Sequence, residues 1–431
     1  MAISFPPGAL SLVISILLLN VAPLVEAKNR DNLETQLAAA LQLPELPKLP
    51  SLAGPSADWR QWDSFFTFIV KRLGQDLSGD LKDSLGEAFL DSRYELTATV
   101  TRLGGQQNPV PQLFLNGWGR LSPIVNKALP ALPRQSAERY RNFIDAIDKL
   151  ASVGQQGSRL GLLQVSPSAL RSMARIIDPR AGVDPIAYRL NVDNALRDLL
   201  GLRALAASPG TRQSRLRGMP SFFDAREVSI PSLWLSAAPA AESNLKKLNE
   251  WVPGTNDLEA YLLAVRSLLT TLSDKLAANA KLAEERRPLY RQIVFTAAWQ
   301  ESCWRQFIKR GTPMVSASGD LGLMQVNRNT WRNLYDLKQL GGDIEYNSNA
   351  GEEILLYYLT RYALKKKEDQ QPDGHLARAT YSAYNGGPSQ LARYRAAKPN
   401  PELKKVDEAF WEKFQAVNSG RELEVQRCYQ K

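Results

Sequence analysis

The chain has 431 residues, long enough for two or three domains with sizeable cores. It holds one histidine, His375, and two cysteines, Cys303 and Cys428, too few for a zinc site of His and Cys ligands; any Ser-His-Asp or Cys-His unit would depend on His375 alone. The net charge of +10 is spread over scattered Lys and Arg with local clusters at Arg212–Arg217 and Lys365–Lys367. Without a continuous basic stripe or a nucleic-acid module, this excludes nucleic acid as the expected partner and points to a general attraction to an anionic polymer or, peripherally, a membrane surface.

In chain order, residues 1–27 read as a signal peptide: an apolar run ends in Val25-Glu26-Ala27, a small-x-small cleavage signature, ahead of Lys28 and Arg30. The positive region that normally precedes such a run is missing apart from the amino terminus, so an uncleaved membrane anchor is the alternative. The cleavage position has no Cys, which argues against a lipoprotein, and no other segment approaches the roughly 18 apolar residues of a membrane span. An exported protein, periplasmic or secreted, is expected. Residues 28–57 contain PELPKLPSLAGP, a proline-spaced tail or linker.

Residues 58–206 read as a helical accessory domain. From Trp59 to Leu73 the side chains of Trp62, Phe65, Phe66, Ile69 and Leu73 share one face and are expected in a core, and Leu81, Leu85, Ala88 and Phe89 begin a second helix. Glu95–Leu103 is rich in Thr and Val; with Gly104-Gly105 and then Gln112–Leu115 it predicts a small hairpin. Helical spacing returns from Ser136 to Ala206, broken near Pro167, Pro179 and Pro185. Residues 207–240, rich in Pro, Gly, Ser and Arg, read as a linker.

Residues 241–431 form the second expected domain. It opens with a helix over Asp257–Glu285, capped by Thr255 or Asn256, and Pro288 then starts another. Further helices are predicted over Thr330–Leu337, Ala350–Ala363, Leu376–Tyr384 and Val406–Val417, the third of these stopped by Asn385-Gly386-Gly387-Pro388. His375, beside Pro372-Asp373-Gly374, reads as an exposed helix-start residue. The fold is expected to be mainly α with at most a small β element.

Two stretches carry the chemistry. Over IVFTAAWQESCWRQFI (Ile293–Ile308) a helix would put Val294, Ala297, Ala298, Trp304 and Ile308 on one apolar stripe, and Glu301 lies in it. A carboxyl held against apolar walls loses water, so its pKa rises above the ordinary value of about 4.3 and it can act as a general acid. Periodicity alone equally allows a Glu that caps, pairs locally or faces solvent. The second stretch is SASGDLGLMQ (Ser316–Gln325).

Glu301-Ser302 followed by Ser316-x-x-Gly319-x-x-Gly322-Leu323-Met324-Gln325 resembles the lytic transglycosylase (SLT) domain, a goose-lysozyme-like family that cuts peptidoglycan. Ala383-Tyr384-Asn385-Gly386-Gly387 is similar to that family's Ala-Tyr-Asn-Ala-Gly element, and Asn347 to Gly351 with Ile354-Leu355 is similar to its intervening helix. The resemblance spans Leu289 to Arg395, about a quarter of the chain, with an SLT core at 287–400. It implies a lysozyme-like helical catalytic domain acting on glycan strands of peptidoglycan, without cofactor or metal. By resemblance Glu301 is the single catalytic acid and base; it protonates the oxygen between N-acetylmuramic acid and N-acetylglucosamine, then takes the proton of the muramic C6 hydroxyl to leave a 1,6-anhydro end. One acid suffices where the substrate's N-acetyl group stabilises the positive centre. Tyr384 would orient that acid, while Ser302, Met324, Gln325 and Asn385 would bind or orient substrate.

Two residues depart from the family pattern. Asp320 stands where alanine is usual and Arg328 where proline is common; Asp320 as a second carboxylate would favour water attack and a hydrolytic muramidase, although a turn or cap role is the plainer reading. Cys303, two residues beyond Glu301, would project from the far side of a helix and could join Cys428 in the tail; two free thiols are the alternative. A third reading, a binding or scaffold protein with a vestigial cleft, draws on the large region before Glu285, which carries no motif.

Overall fold

The computed structural model describes residues 56–104, 108–158, 165–179, 182–205 and 247–430. The expected signal peptide 1–27, most of the proline-rich tail and the linker 207–240 lie outside the described residues. Two compact units emerge: the first runs to Leu190 and includes Ala195–Gly201, and the second holds Asn191–Asn194 and Leu202 onward. Among the described residues no helix is long and apolar enough to cross a membrane.

Among the described residues the regular structure of the first unit is helical: α1 (Trp59–Asp76), α2 (Gly79–Leu103), α3 (Val110–Ala128), α4 (Arg134–Ser158), α5 (Pro167–Ile177) and the short α6 (Asn194–Leu199). Asp58 and Gln61 start α1 by exchanging side-chain and backbone hydrogen bonds, a capping box. The predicted stripe of Trp62, Phe65, Phe66, Ile69 and Leu73 is buried, and Trp62 packs against Phe114 of α3 with ring centres 5.4 Å apart. Arg93 of α2 meets Asp63 of α1 at 2.7 Å with both side chains almost fully buried.

The hairpin expected over Glu95–Leu103 and Gln112–Leu115 is not there. Both stretches are helical, the ends of α2 and the start of α3. Local β propensity of Thr and Val is worth little against a buried helical face, here Leu85, Phe89 and Leu96 on α2 and Leu113, Phe114, Trp118 and Leu121 on α3. Gly104, at φ +55, is the left-handed C-cap of α2, not a hairpin turn.

The second unit comprises α7 (Leu258–Asn279), α8 (Arg287–Ser302), two small antiparallel ribbons, α9 (Leu337–Gly342), α10 (Ile344–Tyr358, continued by a π turn over Leu359–Leu364), α11 (Leu376–Gly386) and α12 (Pro401–Asn418). The ribbons pair β1 (Phe307–Lys309) with β2 (Thr312–Pro313), and β3 (Asp320–Leu321) with β4 (Val326–Asn327). The chain is thus mainly α, as expected, and among the described residues these small sheets are the only ones.

Three local expectations change. Thr255 and Asn256 do not cap α7: Asp257 occupies the cap position, and its carboxylate accepts from Trp251 Nε1 and Gly254 N instead. Thr330–Leu337 is mostly turn, and the helix begins one residue past Asp336, whose carboxylate accepts from the first free amides. The helix bearing Glu301 stops at Ser302, well short of Ile308. Cys303 and Trp304 both take left-handed backbone (φ +55 and +61), turning the chain sharply. Trp304 is therefore buried behind the helix, donating Nε1–H to Phe295 O at 3.0 Å, while Ile308 is 60% exposed.

Candidate active site

Glu301 sits in the last turn of α8, partly exposed. Its carboxyl accepts a hydrogen bond from the Tyr381 hydroxyl of α11 at 2.8 Å. Burial pushes its pKa up to about 7; the Tyr381 hydrogen bond pulls it back, and the negative charge of Asp320 adds to the rise. Among the described residues no cation pairs with Glu301. Tyr381 is itself held flat against Phe410 of α12, ring centres 4.1 Å apart and 4° from parallel. Desolvation first, then the Glu301 charge, raises the Tyr381 pKa well above its ordinary value, so its hydroxyl stays a proton donor toward the carboxylate.

The segment from Ser316 to Gln325 faces this carboxyl and is fixed by two buried amides. Gln306 accepts from Leu323 N at 2.8 Å and donates to Leu340 O and Gly341 O. Asn347 accepts from Met324 N at 2.8 Å and donates to Leu321 O and Leu340 O. Gly322, at φ +71, lies between them: a Cβ there would fall 2.4 Å from Gln306 Oε1 and 2.5 Å from Asn347 Nδ2. Gly351 is likewise enforced, since its Cβ would meet Met324 at 2.3 Å.

This scaffold redistributes the expected roles. Ser302 is 2% exposed; its hydroxyl donates to Leu323 O at 2.6 Å and accepts from Arg305 N, so it ties the helix end to the loop and does not face a substrate. Met324 has no exposed surface and packs on Gly351, a core residue despite its motif. The Tyr384 hydroxyl donates to Met324 O at 2.5 Å, and the phenol that donates to the acid is that of Tyr381, one turn earlier. Gln325 lies in left-handed backbone (φ +47), with its amide donating to Gly322 O at 2.6 Å. Asn385, in the last turn of α11, is exposed.

Asp320 lies on β3. One carboxylate oxygen accepts from the hydroxyls of Ser316 and Ser318, and the other accepts from Asn327 Nδ2 at 2.7 Å. Cys303 and Cys428 are joined in a disulfide with Cα atoms 6.1 Å apart. It pins the last turn, Glu422–Tyr429, to the end of α8, where Tyr429 also donates to Cys303 O at 2.8 Å. His375 caps α11, its Nδ1 accepting from Ala377 N; it is not exposed as expected but half-buried against Trp411 and Phe414, which lowers its pKa by desolvation.

Sequence reasoning missed Tyr381 and Gln306. Tyr381 had a signal, three residues before Tyr384 on the same helical face. Gln306 had none, because its role follows from the turn after Ser302. Residues 278–406, within the second unit, match the family model described as the transglycosylase SLT domain, which suggests a lysozyme-like, glycan-cleaving activity. No curated protein and no solved structure matches the chain.

Proposed function

We propose that the protein is a peptidoglycan lytic transglycosylase that breaks the β-1,4 bond between N-acetylmuramic acid and N-acetylglucosamine and leaves a 1,6-anhydro end. The observation that carries this reading is the Glu301 carboxyl, pushed to about 7 with a tyrosine hydroxyl and no cation as its partner. Such a group is substantially protonated at neutral pH and can give its proton to the bridging oxygen. Once ionised, it can take the C6 hydroxyl proton as that oxygen closes on C1, returning to its starting state. General acid help accounts for roughly 10²–10⁴ in rate, so positioning of the sugar supplies the rest.

The family match supports the substrate class, and the bond, product and residue roles are our reading of the site. Tyr381 is the positioning residue for the acid. Ser302, Gln306 and Asn347 hold the loop carrying Gln325 beside it, leaving Gln325 as the candidate contact to the sugar. An exported protein is the setting in which this chemistry meets its polymer.

Asp320 as a base for water is the weaker reading, because both its oxygens are already engaged by Ser316, Ser318 and Asn327. Its charge instead assists by raising the Glu301 pKa. Digestion of purified sacculi with product analysis by mass tests the proposal. Anhydro-muropeptides, absent with Glu301→Gln, are expected. Reducing ends in their place would establish a muramidase, and intact sacculi would leave a binding protein.

A further inference from the structure

Glu301 is the penultimate residue of α8, so its position depends on how that helix stops. α2 stops at a glycine, Gly104, which takes left-handed backbone freely. α8 stops at Cys303 and Trp304, which both carry side chains and both take that backbone, at φ +55 and +61. The conformation is unfavourable for both, most of all for a bulky tryptophan. It persists only where the surrounding contacts dictate it.

Those contacts come from two sides. On the inner side Trp304 is buried, and its backbone O accepts from the Tyr261 hydroxyl of α7 at 2.7 Å. On the outer side the turn Glu422–Tyr429 supplies the hold. Cys303 is bonded to Cys428, its backbone O accepts from the Tyr429 hydroxyl at 2.8 Å, and Arg305 donates to Cys428 O at 3.0 Å. The Arg305 guanidinium carbon also lies 4.0 Å from the Tyr429 ring centre. Burial pushes the Tyr429 pKa up to about 12 against the pull of Arg305, so its hydroxyl stays a donor.

The turn is moored in its own right. Val425 is fully buried, and Glu422, almost buried, pairs with Arg266 of α7 at 2.7 Å. It is nonetheless a single 3₁₀ stretch, whose internal hydrogen bonds have poorer geometry than those of an α-helix. Its grip on α8 therefore depends on the bond at Cys428. Cys303 and Cys428 are both partly exposed, so a dithiol reaches that bond. One thiolate attacks a protein sulfur, forming a mixed disulfide and releasing the other cysteine. The second thiolate then displaces the first, leaving two protein thiols and an oxidised dithiol.

We propose that the turn Glu422–Tyr429, locked by Cys303–Cys428, is a positioning strap that fixes the end of α8, and with it the Glu301 carboxyl against Tyr381, and that opening the bond by a dithiol switches the acid off. The assignment rests on the glycan-cleaving reading above and adds redox control to it. The strap does not touch substrate; it acts through the two left-handed residues, where a displacement of about 1 Å is worth about 10²-fold in rate.

The test compares full-length protein with its Cys303→Ser/Cys428→Ser variant, well below the melting temperature of each, because loss of a disulfide lowers stability whatever its role. The double variant should lose about tenfold or more in kcat on sacculi, with KM unchanged. Dithiothreitol should reproduce that loss in the parent, reoxidation should restore activity, and the double variant should not respond. Carbon-13 titration of Glu301 supplies a readout that a merely structural bond would not move. Burial is the main cause of its raised pKa, so a loosened helix end admits water and the midpoint should fall below about 7. An unchanged kcat and midpoint in the folded double variant overturn the proposal, as does an equal response of parent and double variant to dithiothreitol. If the double variant does not stay folded by near-ultraviolet circular dichroism, Tyr429→Phe in the bonded protein decides. A severalfold fall in kcat supports the strap, and an unchanged kcat overturns it. If sacculi yield no products in either redox state while the Glu301 midpoint still moves, the catalytic reading fails and the strap stands.

Discussion

Two acidic side chains, one in each unit, show what separates a structural buried carboxyl from a reactive one. Asp63 in the first unit faces Arg93 at 2.7 Å, the guanidinium also donating to Thr67, so a buried charge meets a countercharge and a further hydrogen-bond partner. Glu301 in the second unit is offered only a phenol, and Asp320 nearby makes its ionisation harder. The first arrangement joins two helices. The second holds a proton in reserve, at a cost in stability whenever the pH drives it off.

Breaking the contrast at Glu301 has the largest expected effect. Glu301→Gln should lower sacculus cleavage by at least about 10²–10⁴-fold while the protein stays folded. The sign on stability is opposite. A carboxyl whose folded pKa is raised from 4.5 to about 7 costs the folded state nothing below its unfolded value; the penalty grows from there up to pH 7 and is then constant. Glu301→Gln should therefore melt higher than the parent at pH 8, by an amount of order 1–3 kcal/mol, and show little gain at pH 4. Equal shifts at both pH values would remove the desolvation argument.

Next comes the scaffold. Gly322→Ala forces a side chain into left-handed backbone between two buried amides, and should cost roughly 2–4 kcal/mol in urea denaturation. An alanine tolerated without loss would mean the loop is not held as described. Tyr381→Phe should cost about tenfold in activity through loss of one charge-assisted hydrogen bond. Because that bond favours the ionised acid, the alkaline fall in kcat/KM should move to higher pH. Tyr384→Phe, whose hydroxyl reaches Met324 O, should leave that limb in place. The smallest effect belongs to Asp320→Asn. Removing a neighbouring negative charge lets Glu301 ionise more readily, so the same limb should move to lower pH, with the anhydro product retained.

Much of this organisation was legible in the chain. The α1 face of Trp62, Phe65, Phe66, Ile69 and Leu73 repeats at helical spacing, and burial follows. Glu301 and Gln325 stand out by residue type and spacing within the motifs that the chain resembles. Gly322 and Gly351 stand out because backbone approach admits nothing larger. What periodicity could not convey was where regular structure stops. The left-handed pair at Cys303 and Trp304 ends α8 under a run of residues that all tolerate helix, and the turn it makes brings Gln306 under the loop. The Thr- and Val-rich end of α2 misled for the complementary reason: burial against α3 decides its conformation, and that contact is not local. Tyr381 and Tyr384 lie on one helical face, where a single turn decides which phenol reaches the acid, and spacing alone does not single out Tyr381 as the one that donates to Glu301.

The most direct test of the central claim is a titration of the Glu301 carboxyl itself, by carbon-13 NMR of protein carrying labelled glutamate, with Glu301→Gln identifying the resonance. A midpoint near pH 7 is expected, moving upward in Tyr381→Phe. A midpoint near 4.5, the ordinary value for this side chain, would mean that the group is an anion at neutral pH and cannot be the acid.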